Sequence, residues 1–281
     1  TALEMKGKLA PHVLVMSATP IPRTMALVLY GDLDVSVVDE LPPGRKEVRT
    51  RIVSEKKRQD MYGFIQRAVE AGQQAYVVCP LVEDSEMMDA ASAAQTVQEM
   101  RKAMPDVRIE LLHGRMKSEE KDHILQGFAA HESDVLVSTT VIEVGVNVPN
   151  ATIMVIEDAE RFGLAQLHQL RGRVGRGDQQ SWCFLMADPS ERMKTMASTT
   201  DGFVIARKDL ELRGPGELMG SRQSGMLDEK ILRLASDGPL MDKVTKAVDA
   251  IFAQPKAEEN RQLMVYARRM MEQRGLFVAR N

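Results

Sequence analysis

The sequence predicts an α/β protein in which a parallel sheet is flanked by helices and followed by a loop and a helical extension. Three observations predict it. Between residues 48 and 200, short β-branched and apolar runs alternate with longer helical patterns, as in strands joined by crossover helices. The polar motifs fall at the ends of those runs or just after them, where open α/β sheets bind ligands. Beyond about residue 200 the alternation stops. There Gly214, Pro215, Gly216, Gly220 and Gly225 precede helical patterns near 238–253 and 257–274.

Taken in order, VLVM within HVLVMSATPIPRT is a short strand candidate that gives way to a loop at Pro20 and Pro22. The segment 41–47 is a linker, because the adjacent prolines and glycine of LPPGR continue neither regular structure. Candidate strands are VRTRIV (48–53), AYVVC (75–79), RIELL (108–112), DVLVST (134–139), TIMVI (152–156) and SWCFLM (181–186). Candidate helices fill 55–71, 89–104, 118–130, 163–173 and 190–198, with Ser118 as an N-cap. Gly175 and Gly177 end the helix that carries QLHQLRGRVGRG (166–177).

A chain of 281 residues, 44% hydrophobic and 27% charged, can bury one good core and a smaller second unit. It has no apolar run of about 18 residues and no charged-then-apolar leader, so a soluble, cytoplasmic protein without a membrane partner is expected. Cys79 and Cys183 sit in apolar runs and have no ligand-spaced partners, so neither a disulfide nor a metal site is expected. The net charge of −3 gives no sign of nucleic acid. Its distribution does, with basic residues gathered at 161–176 and 207–222 and acids at 83–89. The same clusters also fit ordinary solvated faces.

Gln169, Arg173 and Arg176 fall at i, i+4 and i+7 and would share one face of a helix. A guanidinium is always charged and grips phosphate oxygens bidentately, which suits phosphoryl transfer. A basic helix end complementing its own dipole is the other reading. In LHGRMKSEEKDHIL, His113 and Gly114 stand at a strand end. Backbone amides there, with Arg115 and Lys117, could hold a nucleic-acid phosphate, or Ser118 could simply cap its helix. The loop from 209 to 225 has the composition of a hinge or of a surface loop.

The spacing QxxGRxGR resembles motif VI of superfamily 2 helicases and translocases. ERFGLAQLHQLRGRVGRG and DLELRGPGELMGSRQSG together resemble the RecG and Mfd families of bacterial DNA translocases. SATPIPRT (17–24) and DELPPGR (39–45) are more similar to RecG, and the resemblance covers nearly the whole chain. It implies RecA-like architecture: the end of a first motor lobe at 1–40, a second lobe at 48–200, and a translocation loop with C-terminal helices at 201–281. Gln169, Arg173 and Arg176 would face ATP, joined by Gly145 and Asn147 of STTVIEVGVNVPNA, which resembles motif V. Many superfamily 2 proteins carry Asp where this chain has Asn147, and the amide keeps an acceptor without the charge. His113, Gly114, Thr139 and Thr140 would contact DNA. Ser17 and Thr19 of motif III would couple nucleotide to DNA. So would Arg192, on a helical hairpin beside motif VI, and Arg213 and Gln223 in the loop.

A motor also needs a GxxxxGK[ST] loop and an acidic Mg²⁺-binding motif, and this sequence contains neither; Gly7-Lys8 is followed by Leu9. The expectation is therefore a C-terminal piece of a larger translocase, inactive alone, whose main ATP and Mg²⁺ ligands lie outside it. The resemblance implies branched double-stranded DNA, the missing first lobe and a wedge domain as partners, with single-stranded-DNA-binding protein a further candidate and a monomer as the state. An Mfd-like lobe that pushes on RNA polymerase, and a DNA-binding module that has lost its reaction, are the alternatives.

Overall fold

The computed structural model describes residues 14, 16, 36, 38, 45–81, 86–139, 148–213, 238–254 and 257–273. Ser17, Thr19, Thr140, Gly145, Asn147 and Gln223 lie outside these residues. The chain divides into two units, of which one holds the sheet and runs to Ala206 and the other takes the residues from Arg207 onward.

Six strands form one parallel sheet: β1 (Arg49–Val53), β2 (Gln74–Val78), β3 (Ile109–Leu112), β4 (Val135–Ser138), β5 (Ala151–Ile156) and β6 (Trp182–Met186). Their order is β1-β6-β5-β2-β4-β3, and every pair is parallel. Each strand matches an expected run to within one residue at either end, because a parallel sheet covered on both faces needs continuous apolar strands. In β2, β4 and β5 every residue is buried.

Alternate side chains feed two cores. Tyr76, Val78, Leu136, Met154, Ile156, Cys183 and Leu185 pack on one side with α3 (Ser118–Ala129), α4 (Leu164–Arg171) and α5 (Glu191–Ser198). Ala75, Val77, Val135, Val137, Ile153, Val155 and Phe184 pack on the other with α1 (Arg58–Glu70) and α2 (Glu86–Ala103). Both cysteines are buried, and burial pushes each thiol up to about 12.

Two expectations are corrected. The segment 209–213, expected in the loop, ends a helix, α6 (Gly202–Arg213). Asp201 accepts from the amides of Phe203 and Val204 at 2.8 and 3.3 Å, and the stretch from Ile205 to Arg213 contains no glycine or proline to stop the helix. Ser118 is the first residue of α3, and its N-cap is the extended Lys117, which makes no side-chain capping bond. The last helices of the chain, α7 (Gly238–Ala253) and α8 (Glu258–Gln273), lie within two residues of expectation.

Candidate nucleotide and nucleic-acid interface

The arginine motif is built from the end of β5. Asp158, in the left-handed region at φ 44°, turns the chain into a short 3-10 turn at Ala159–Arg161. The amide of Gly163 donates to Gln166 Oε1 at 3.0 Å, and Leu164, Leu167 and Leu170 bury one face of α4 against the sheet. The helix stops at Arg171, so Arg173 and Arg176 are not on a helical face with Gln169, contrary to expectation. The reason is a tight exit. Gly172 is the C-cap, the amide of Arg173 donates to Leu170 O at 3.0 Å, and Gly175 swings to φ 74°.

The exit places Gln169 and Arg173 half-buried and Arg176 exposed. The arginines lie near Tyr76, whose hydroxyl burial raises to about 12 while the charges of Arg176 and Arg173 act the other way. Gly175 is packed tightly: a Cβ there would meet Val48 Cγ2 at 2.8 Å. The expected linker reaches the same turn, with Arg45 Nε donating to Gly175 O.

The other motif lies three strands along the sheet. His113 and Gly114 follow β3 in a turn closed by Met116 N–H donating to His113 O at 3.2 Å, and Lys121 Nζ donates to Gly114 O at 2.6 Å. His113 Nδ1 is buried without a hydrogen-bond partner among the described residues, while Gly114, Arg115 and Lys117 are exposed. Thr139 follows β4 and is 3% exposed, with its amide on Leu112 O at 3.2 Å. The structure therefore brings His113 and Thr139 to adjacent strand ends. Arg173 and Arg176 stand apart from them: the turn they share packs on Val48 and Ser181, just before β1 and β6, at the opposite edge of the sheet.

Arg192, on α5, donates to the carbonyls of Glu160 and Phe162, in the turn that enters α4. Arg213 closes α6.

Two arginines escaped the sequence reading. Arg58 pairs bidentately with Glu157 at the end of β5, at 2.7 and 2.9 Å, and also bonds Glu55 and Tyr62. Burial opposes its charge, yet the bonds to Glu157 and Glu55 hold its pKa above the ordinary value. Nothing in a spacing of 99 residues announces that pair. Arg171 is 3% exposed, and it had a signal: it falls seven residues after Leu164, on the buried face of α4. No group of side chains able to hold a metal ion occurs among the described residues, and none of the described helices is long and apolar enough to cross a membrane.

A six-stranded parallel sheet flanked by helices, with two arginines on the glycine turn after α4, is the arrangement expected of a helicase C-terminal lobe. Accordingly, residues 56–178 match the family model "Helicase conserved C-terminal domain". Residues 199–278 match "ATP-dependent DNA helicase RecG, domain 3, C-terminal". The chain belongs to the RecG family, and its sheet is RecA-like. It is 51% identical over 240 residues to the ATP-dependent DNA helicase RecG of Acidithiobacillus ferridurans, covering 83% of this chain and 35% of that relative. It is 46% identical over 266 residues to that of Bacillus subtilis (strain 168), covering 90% and 39%. A solved structure of RecG bound to a three-way DNA junction matches with a TM-score of 0.63 and 44% identity, covering 82% of this chain and 32% of that one. The chain thus spans little more than a third of the curated relatives it matches.

Proposed function

We propose that this chain is the second motor lobe and coupling element of an ATP-dependent DNA translocase that remodels branched DNA. The observation that carries the reading is the turn after α4, which holds Arg173 half-buried and Arg176 exposed beside Tyr76, with Gln169 in the last turn of the helix before it. Guanidiniums on a short, glycine-bounded turn can meet phosphate charge without a costly rearrangement of the sheet. They fit the phosphates of ATP. In this reading Mg²⁺ and the main phosphate cradle belong to a first lobe. Bound nucleotide supplies the phosphoryl transfer, and Arg173 and Arg176 neutralise charge on it while Gln169 orients the attacking water. The strand ends at His113 and Thr139 are the DNA side, and salt should weaken binding there steeply.

The test joins this chain to its first lobe and measures DNA-stimulated ATP hydrolysis. Arg176→Ala should lower the rate by about 10³ to 10⁵. An unchanged rate, or robust hydrolysis by this chain alone, overturns the reading.

A further inference from the structure

Arg171 closes α4 two residues before Arg173, yet its side chain points away from the nucleotide side, into the protein. Its Nη1 donates to the carbonyls of Met196 and Thr199, both at 2.8 Å, and to Thr50 Oγ1 at 3.4 Å. Its Nη2 meets His168 Nδ1 at 3.1 Å. Among the described residues no carboxylate pairs with this guanidinium. Its charge is instead met by the carbonyls at the C-terminus of α5, the partly negative end of that helix.

The other end of α5 is held too, by Arg192 on the carbonyls of Glu160 and Phe162. Between the two arginines, Met193 and Met196 are fully buried against the core that α4 shares. One helix is therefore fastened at both ends to the two ends of the segment that carries the arginine motif. The chain then passes from Thr199 to Asp201, which caps α6, and α6 runs on to Arg213.

We propose that Arg171 is a positioning residue that makes α5 move with α4, so that a displacement of Arg173 and Arg176 is passed to α6 rather than absorbed at Thr199. The inference rests on the motor reading above. A packing contact alone would slide; a buried guanidinium on two carbonyls has one arrangement, because breaking it strands a desolvated charge.

The experiment uses the full-length motor and compares Arg171→Met and Arg171→Lys with the unaltered protein. It measures DNA-stimulated ATP hydrolysis, displacement of a third strand from triplex DNA as a readout of translocation, and thermal unfolding. Arg171→Met is expected to keep most of its hydrolysis and to lose about ten-fold or more in displacement per ATP hydrolysed. Arg171→Lys, which keeps the charge on a single nitrogen, should fall between. If Arg171→Met does not fold, the lysine variant carries the comparison. Displacement per ATP equal to that of the unaltered protein, or hydrolysis and displacement falling together with the folded fraction, overturns the proposal. Arg173→Ala is the separate control: if it leaves hydrolysis unchanged, the motor reading fails, whatever Arg171 does.

Discussion

Arg45 donates through Nε to the carbonyl of Gly175 at 2.7 Å, across 130 positions of sequence. The bond ties the segment entering the sheet to the turn between Arg173 and Arg176. Gln180 Nε2 adds a second tie, to Glu47 O at 2.9 Å. Charged donors on backbone carbonyls are among the stronger hydrogen bonds, and this one is partly buried. Arg45→Ala should cost about 1 kcal/mol in urea unfolding of this unit. A loss within error of zero would mean that the tie is not maintained in solution.

Gly175 tolerates no side chain, for two independent reasons. Its φ of 74° is strained for an L-residue, and an added Cβ would stand 2.8 Å from Val48 Cγ2. Gly175→Ala should destabilise by about 1–3 kcal/mol. Adding Val48→Ala removes the clash but not the strain, so the double variant should recover only part of the loss relative to Val48→Ala alone. Full recovery would show that backbone strain contributes nothing.

The Arg58–Glu157 pair has side chains 17% and 9% exposed, so either partner left alone is a poorly solvated charge. Glu157→Gln should cost about 2–3 kcal/mol, and Arg58→Met with Glu157→Gln together should cost less than the sum. A double-mutant cycle in chemical denaturation measures the coupling. Strictly additive losses would show that the two groups act independently.

Acid should loosen the sheet unit in two steps. Burial, then the charge of Arg171, lowers the pKa of His168 below the ordinary 6.5. The unfolded chain then binds the proton more readily, and stability falls as pH drops below about 6.5. At Asp134 burial opposes the charged form, but the hydrogen bonds and charge of Arg108 outweigh it and lower its pKa. That contribution is present above the unfolded carboxylate value and is lost as pH falls through the folded one. Unfolding midpoints between pH 7.5 and 5 should drop less in His168→Gln than in the unaltered chain. Parallel profiles would remove His168 from the account.

Cys79 and Cys183 should resist a thiol reagent at pH 8 until the chain unfolds, since burial keeps both protonated. Labelling kinetics in rising guanidinium should follow the loss of helical signal. Fast labelling of the native protein would contradict their burial.

The strands were legible because apolar runs bounded by turns carry their own signal, and Val135, Val137, Ile153 and Val155 are as buried as their pattern implies. The residues of the candidate site can be named from the sequence, but their geometry cannot. Periodicity alone extends α4 to Arg173 and beyond; only the positive φ of Gly175 and the packing of Val48 show where the helix stops. Arg58 and Glu157 meet through tertiary packing, which no local pattern encodes. Arg171 was readable by its place on the buried face, but an arginine there goes against the usual expectation that charge faces solvent.

Beyond the strands themselves, the sheet's hydrogen bonding continues for one more step at each junction. The amides of Glu157, Cys79 and Thr139 donate to Val78, Ser138 and Leu112 at 2.9, 2.8 and 3.2 Å. The end of β5, which launches α4, therefore lies three locked strand intervals, roughly 14 Å, from the end of β3 with His113. This separation is a ruler made of backbone, with no side chain as its adjustable part. Point substitutions can change what stands at either mark, and insertions can lengthen the loops between them. Neither alters the distance between the marks while the sheet is intact.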